Sequence, residues 1–161
     1  MSHRAFIALG SNLQDPATQV QQAILELAAL PETTLLRTSS LYRTAPVGYD
    51  DQPDFINAVA EIATTLEPLT LLRALLALEA SHGRERPFPN APRVLDLDLL
   101  LYDALTMQTS ELTLPHPRMS ERGFVLLPLV EIAPELEIPG QGKVADLALQ
   151  CQDQGVERLA T

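Results

Sequence analysis

The chain has 161 residues, 46% hydrophobic and 20% charged, with a formal net charge of −10. That size suits one domain over residues 1–161 with a real core, and the negative charge argues against non-specific nucleic-acid binding. No apolar run is long enough to span a membrane, and the single Cys151 cannot form an internal disulfide, so a reducing cytoplasm is expected; a monomer is expected as well.

Residues 5–9 form a short apolar run ending at Gly10, Ser11 and Asn12, which reads as a strand followed by a turn. No signal-peptide layout precedes it. The turn lacks the glycine spacing and lysine of a phosphate loop and reads as structural. Asp15 and Pro16 are expected to open a helix as N-cap and first residue. Val20, Ile24, Leu27 and Leu30 carry the helix to Pro31 at intervals of three and four. Residues 34–43 read as a second strand. Residues 44–53, rich in breakers, make a loop long enough to line a site.

Residues 54–62 alternate as a strand, with Phe55, Asn57, Val59 and Glu61 on one face. An aromatic ring and a carboxamide two residues apart can stack on a flat heterocycle and bond its edge. They can equally be a core Phe beside a solvated Asn. Pro68 opens a second helix with Leu69, Leu72, Leu75 and Leu76. Glu79 falls among these leucines on the helical wheel, where it needs an arginine or a ligand hydroxyl, or must snorkel to water. Gly83 ends the helix. Residues 84–92 form a proline-rich stretch with Arg84 and Arg86, either a lid over a charged ligand or a connector.

Residues 93–102 have a period of two. Leu95, Leu97, Leu99 and Leu101 point one way, and Asp96, Asp98 and Leu100 the other. The two carboxylates then lie about 6.5–7 Å apart on one strand face. Unless that face is simply wet, a cation must separate them. Oxygen-only ligands favour Mg²⁺ or Mn²⁺, and the spacing suits a pair of ions about 3.5–4 Å apart. Arg84, Arg86, Arg93, Arg118 and Arg122, five of the eleven basic residues, bracket the pair, so a small polyanion is the expected ligand. His116, held between prolines, is either a phosphate contact or a turn residue. Ser120 is expected to cap a helix containing Arg122, Phe124, Val125 and Leu129 that ends near Pro134. A turn over 139–142 and a helix over 143–150 complete the chain, with no chemistry read in this tail.

Taken together, residues 8–13, 42–46, 52–58, 83–86, 91–98 and 115–119 with 122–124 resemble the 6-hydroxymethyl-7,8-dihydropterin pyrophosphokinases of folate biosynthesis. The resemblance covers nearly the whole chain in order and spacing. It implies a ferredoxin-like α+β sandwich, an antiparallel sheet with helices on its faces. It also implies transfer of pyrophosphate from ATP to the hydroxymethyl group of the pterin, with AMP as the other product. Asp96 and Asp98 would hold two Mg²⁺ ions. Arg84, Arg93 and His116 would stabilise phosphate charge, with Arg86, Arg118 and Arg122 in support and Glu79 on the nucleotide side. Thr44, Val47, Phe55, Asn57 and Phe124 would form the pterin pocket, with the two rings on opposite faces of the heterocycle. Phe55 stands where Tyr also occurs in the family, and Pro89 and Asn90 depart from its usual basic residue and Trp. Two other readings are a different metal-dependent phosphoryl or nucleotidyl transferase on an Asp-x-Asp strand, and a ferredoxin-like ligand-sensing module without catalysis.

Overall fold

The computed structural model describes residues 2–12, 15–45, 53–82, 94–151 and 154–159. In chain order the first half holds β1 (His3–Ser11), α1 (Pro16–Ala28), β2 (Thr33–Thr38), β3 (Tyr42–Thr44), β4 (Phe55–Thr64) and α2 (Pro68–Ser81). Then come β5 (Asp96–Tyr102), the small hairpin of β6 (Met107–Gln108) and β7 (Thr113–Leu114), and α3 (Gly123–Ile132). A second small hairpin of β8 (Glu137–Ile138) and β9 (Gly142–Lys143), α4 (Val144–Leu149) and β10 (Glu157–Arg158) follow.

The main sheet is antiparallel, in the order β10-β3-β4-β1-β5, with β2 also pairing on β4. The stretch from β1 to β5 therefore runs strand, helix, three strands, helix, strand, which is the expected ferredoxin-like order with its second strand broken into β2 and β3. Ala5, Ile7 and Leu9 of β1 join Ala58, Ala60 and Ile62 of β4 on one face, against Val20, Ala23 and Leu27 of α1 and Leu71 and Leu75 of α2. Phe6, Ala8 and Val59 occupy the other face, against Val125, Leu126, Leu129 and Ile132 of α3. Each fully buried large aliphatic side chain contributes about 1.5–3 kcal/mol, so the two faces together fix which way each strand is turned.

Several sequence expectations change in the structure. The strand expected over 34–43 is two strands. Ser39 exchanges bonds with Val59, its N–H to the Val59 carbonyl and the Val59 N–H to its Oγ, both at 2.9 Å, and the chain breaks there before β3. Asp15 does not cap α1 through its side chain. It is in a left-handed conformation with φ 66°, and its carbonyl accepts the Gln19 N–H at 3.1 Å. Ser120 lies in a 3₁₀ turn over Met119–Glu121, and α3 starts only at Gly123. A register shift opposite Phe6 and Ile7 also interrupts the alternation of β5. Leu101 therefore packs with Leu100 on the α3 face, and Tyr102 turns to the other, donating its hydroxyl to the Leu66 carbonyl at 2.6 Å.

Glu131 of α3 ties the helix to the broken edge of the sheet. Its carboxylate accepts the Ser40 N–H at 3.0 Å, the Ser40 hydroxyl at 2.9 Å and the Tyr42 hydroxyl at 2.7 Å, with Arg158 of β10 at 3.4 Å. Burial opposes ionisation, but these donors and the arginine outweigh it and hold the carboxyl below its ordinary range. Burial and the adjacent carboxylate push the Tyr42 phenol up. Glu131→Gln is expected to lose about 1–3 kcal/mol at pH 7, the scale of bonds to a charged group. Because the folded pKa is lowered, that advantage is present above the unfolded value near 4.3 and lost as pH falls through the folded one. Denaturation of both proteins from pH 7 to pH 3 should show the gap closing toward acid.

Candidate active site

The site lies at one end of the sheet, where β1 tapers. On the face toward α3 its side chains shrink from Phe6 to Ala8 to Gly10, and the core gives way to a cavity of about 740 Å³. Across the sheet Gly10 is paired with Asn57 on one side and Asp96 on the other. Ala8 is similarly flanked by Val59 and Asp98. With strands about 4.8 Å apart, Asn57 and Asp96 stand roughly 10 Å from each other, separated by a residue without a side chain. That gap has the width of a small planar ring system.

Around this floor, the wall on the β3 side carries Thr44 and Phe55. The Asn57 Nδ2 donates to Thr44 Oγ1 at 3.0 Å, which orients the carboxamide and leaves its Oδ1 toward Gly10. A Cβ at Gly10 would come within 3.0 Å of that oxygen, so only glycine fits without displacement. The opposite wall is the turn before α3 and its first residues: Arg118, Glu121, Arg122 and Phe124. The Arg122 guanidinium sits 5.5 Å from the centre of the Phe124 ring, within the range of a cation–π contact.

His116 stands beside the carboxylates. Its Nε2 is 4.0 Å from Asp98 Oδ1, and its Nδ1 accepts the Arg118 N–H at 3.2 Å, which puts the ring proton on Nε2. Burial, then the charges of Arg122 and Arg118, outweigh the pull of Asp96 and press its pKa down to about 4. The ring is therefore neutral at pH 7 and offers an N–H toward the aspartates without adding charge. Asp96 and Asp98 supply only oxygen donors. Among the described residues no cluster of three or more His, Cys, Asp or Glu side chains encloses a metal. The donor set thus fits Mg²⁺, which takes one or two carboxylates and completes its shell with water and phosphate.

Of the residues singled out in the sequence, Thr44, Phe55, Asn57, Asp96, Asp98, Arg118, Arg122 and Phe124 line this one cavity. Glu79 does not snorkel to water: it is 2% exposed and accepts the Leu97 N–H at 2.7 Å, between the two aspartates in β5. Val47, Arg84, Arg86 and Arg93 lie outside the described residues, as do Pro89 and Asn90. Gly10, expected in a structural turn, is instead inside β1 and part of the floor. The period-two taper Phe6, Ala8, Gly10 was the signal for it. Gln154 and Val156 also line the cavity, and nothing in the local sequence marks them.

An antiparallel ferredoxin-like domain with a slot for a flat ring beside paired carboxylates and arginines is, as a class, a site for polyphosphate chemistry on a heterocycle. Residues 6–134 match the family of 7,8-dihydro-6-hydroxymethylpterin-pyrophosphokinases, and the chain belongs to that family. It is 44% identical over 159 residues to the 2-amino-4-hydroxy-6-hydroxymethyldihydropteridine pyrophosphokinase of Pseudomonas aeruginosa, covering 99% of this chain and 98% of the relative. The enzyme of the same name from Haemophilus influenzae is 44% identical over 155 residues, covering 96% and 97%. A Plasmodium falciparum HPPK-DHPS crystal structure with pterin and p-hydroxybenzoate superposes with a TM-score of 0.78 at 15% identity. That match covers all of this chain and 48% of the other, and it supports the fold alone.

Gly10→Ala is expected to destabilise the protein by about 1–3 kcal/mol through overpacking against Asn57. In an Asn57→Ala background the same change should cost much less, because the 3.0 Å contact is gone. Melting temperatures of the four proteins in the cycle test this; equal costs in both backgrounds would remove the Gly10–Asn57 constraint.

Proposed function

We propose that this chain carries out its family's reaction with the groups gathered at the tapered end of β1. The protein is a diphosphokinase of folate biosynthesis, transferring pyrophosphate from ATP to the hydroxymethyl group of 6-hydroxymethyl-7,8-dihydropterin and releasing AMP. The cross-sheet row of Asp96, Gly10 and Asn57 carries the assignment of roles, because it sets a ring slot next to a carboxylate pair. The pterin lies over Gly10, with its edge read by Asn57 and Thr44 and its faces held by Phe55 and Phe124. Its hydroxymethyl group then points along the floor toward Asp96 and Asp98.

The hydroxymethyl oxygen attacks the β-phosphorus of ATP, and the bond from that phosphorus to the oxygen bridging the α-phosphate breaks, so AMP leaves. The enzyme's family is magnesium-dependent, and at this site Asp96 and Asp98 would hold two ions. These carboxylates would hold the magnesium, which would supply neutralising charge for the phosphate oxygens during an in-line displacement. His116 contributes a neutral N–H donor beside Asp98, and Arg118 and Arg122 place positive charge on the facing wall, where charge spreads in the transition state. By the family resemblance Arg84, Arg86 and Arg93 add to that charge and Val47 to the pterin pocket. Glu79 supports the nucleotide side through β5, where it takes the Leu97 N–H. No helix among the described residues is long and apolar enough to cross a membrane. A cytoplasmic monomer with a single domain over 1–161 is part of this proposal, and the net charge of −10 accords with the lack of a nucleic-acid partner.

The test is product analysis with ATP, Mg²⁺ and 6-hydroxymethyl-7,8-dihydropterin. AMP and the pterin diphosphate are expected; ADP or free pyrophosphate as the stoichiometric product would overturn the assignment. Asp98→Ala and Asp96→Ala should each lower turnover by roughly a thousandfold, about 4 kcal/mol of transition-state stabilisation, with the melting temperature kept or raised. A magnesium titration showing near-normal turnover in either variant removes that residue as a metal ligand.

A further inference from the structure

The family match ends at residue 134, yet Gln154 and Val156, beyond it, line the cavity. β10 pairs with β3 through Glu157 and Arg43 and through Arg158 and Tyr42, which extends the sheet edge beside Thr44. Val156 and Gln154, just before it, face the cavity. The Gln154 carboxamide also makes two bonds to the turn that carries the opposite wall. Its Oε1 accepts the Gly123 N–H at 2.8 Å, and its Nε2 donates to the Glu121 carbonyl at 2.9 Å. The donor and acceptor order is forced, because a backbone N–H and a carbonyl lie on the two sides.

The start of α3 is where such a clamp matters. Arg122 at its N-cap makes no side-chain bond to the helix, so the first N–H groups have no local acceptor from it. Gly123 is a weak helix former, and Pro128 has no N–H to offer the Phe124 carbonyl one turn back. Gly123 is also pressed close to the tail. A Cβ there would lie 3.2 Å from the Cys151 Cβ, the Cys151 carbonyl and the Gln154 Oε1. Phe124 and Arg122 flank this glycine, and both line the cavity.

We infer that Gln154 is a positioning residue for the pterin wall: its carboxamide caps α3 from the C-terminal segment and sets the placement of Phe124 for stacking on the substrate ring. This rests on the role proposed above for Phe124. The clamp acts on the wall that carries Phe124 and Arg122 and not on the carboxylates of β5, so its loss is read in the pterin KM through Phe124 and in kcat through Arg122.

The full-length protein is assayed at saturating Mg²⁺ with Gln154→Ala, Gln154→Glu, Phe124→Ala and the Gln154→Ala/Phe124→Ala double variant. Gln154→Ala is expected to raise KM for 6-hydroxymethyl-7,8-dihydropterin about tenfold, as for loss of paired hydrogen bonds, with KM for ATP little changed and only a small fall in melting temperature from the lost cap. Gln154→Glu keeps an acceptor for the Gly123 N–H but turns an oxygen toward the Glu121 carbonyl, so it should be impaired at least as much. In the Phe124→Ala background Gln154→Ala should add almost nothing to the pterin KM, since both act on it through one ring. A wild-type pterin KM in folded Gln154→Ala overturns the clamp. So does a parallel rise in both KM values with a large fall in melting temperature, which marks a general tether. An additive double variant overturns action through Phe124. If Phe124→Ala itself leaves the pterin KM unchanged, the stacking role fails and the inference with it, whereas a raised KM there beside a normal one in Gln154→Ala removes the clamp alone.

Discussion

Strand β1 is hydrogen-bonded along both edges, to β4 and to β5, and this double pairing is the constraint on which the site depends. Because register between paired strands is set in steps of one residue, and each step turns a strand over, the packed halves of β4 and β5 dictate where their first residues fall. Asn57 and Asp96 are brought to the same height not by any attraction between them but because Ile62, Ala60, Leu97 and Leu99 are locked against α1 and α2. The core at one end of the sheet thus aims the polar groups at the other.

Within that frame the steric profile of β1 separates core from cavity. Phe6 fills the space under α3, Ala8 half fills it, and Gly10 leaves it open. Asp96 and Asp98 can stand on this face because the taper keeps them at the rim, where solvent reaches them; Asp98 keeps 34% of its side-chain surface exposed. The buried acids of the structure are treated differently. Glu61 is met by the Arg4 and Arg37 side chains, and Glu79 by a backbone N–H, so each has a partner where water is excluded.

The second layer, α3, is joined to the sheet at both of its ends by side chains far away in sequence. Near its C-terminal end Glu131 gathers Ser40, Tyr42 and Arg158, and Arg37 donates to the Ile132 carbonyl at 2.7 Å. At its N-terminal end Gln154 supplies the bonds that its own sequence lacks. The helix is apolar on most sides and has Pro128 inside it, so packing and these outside bonds, more than propensity, hold it in place. Arg122 and Phe124, which line the cavity, are carried at one of these two anchored ends.

The sequence by itself determined the alternation of β4 and of the first half of β5, the two helices of the ferredoxin-like unit and the pairing of aspartates on one strand face. Each follows from a local period that a single element imposes on its own side chains. The family motifs, read together, were likewise legible along the chain. What only the tertiary structure decided is how separate elements meet. The shift in β5 that turns Leu101 over shows only in its pairing with β1. The break between β2 and β3 comes from Ser39 bonding across to Val59. The role of Gly10 comes from the Asn57 oxygen 3.0 Å from where a Cβ would be. Gln154, in a tail without any periodic signal, reaches the site because β10 returns to the sheet edge. Such contacts join residues dozens of positions apart, and no local period encodes a distance between two elements.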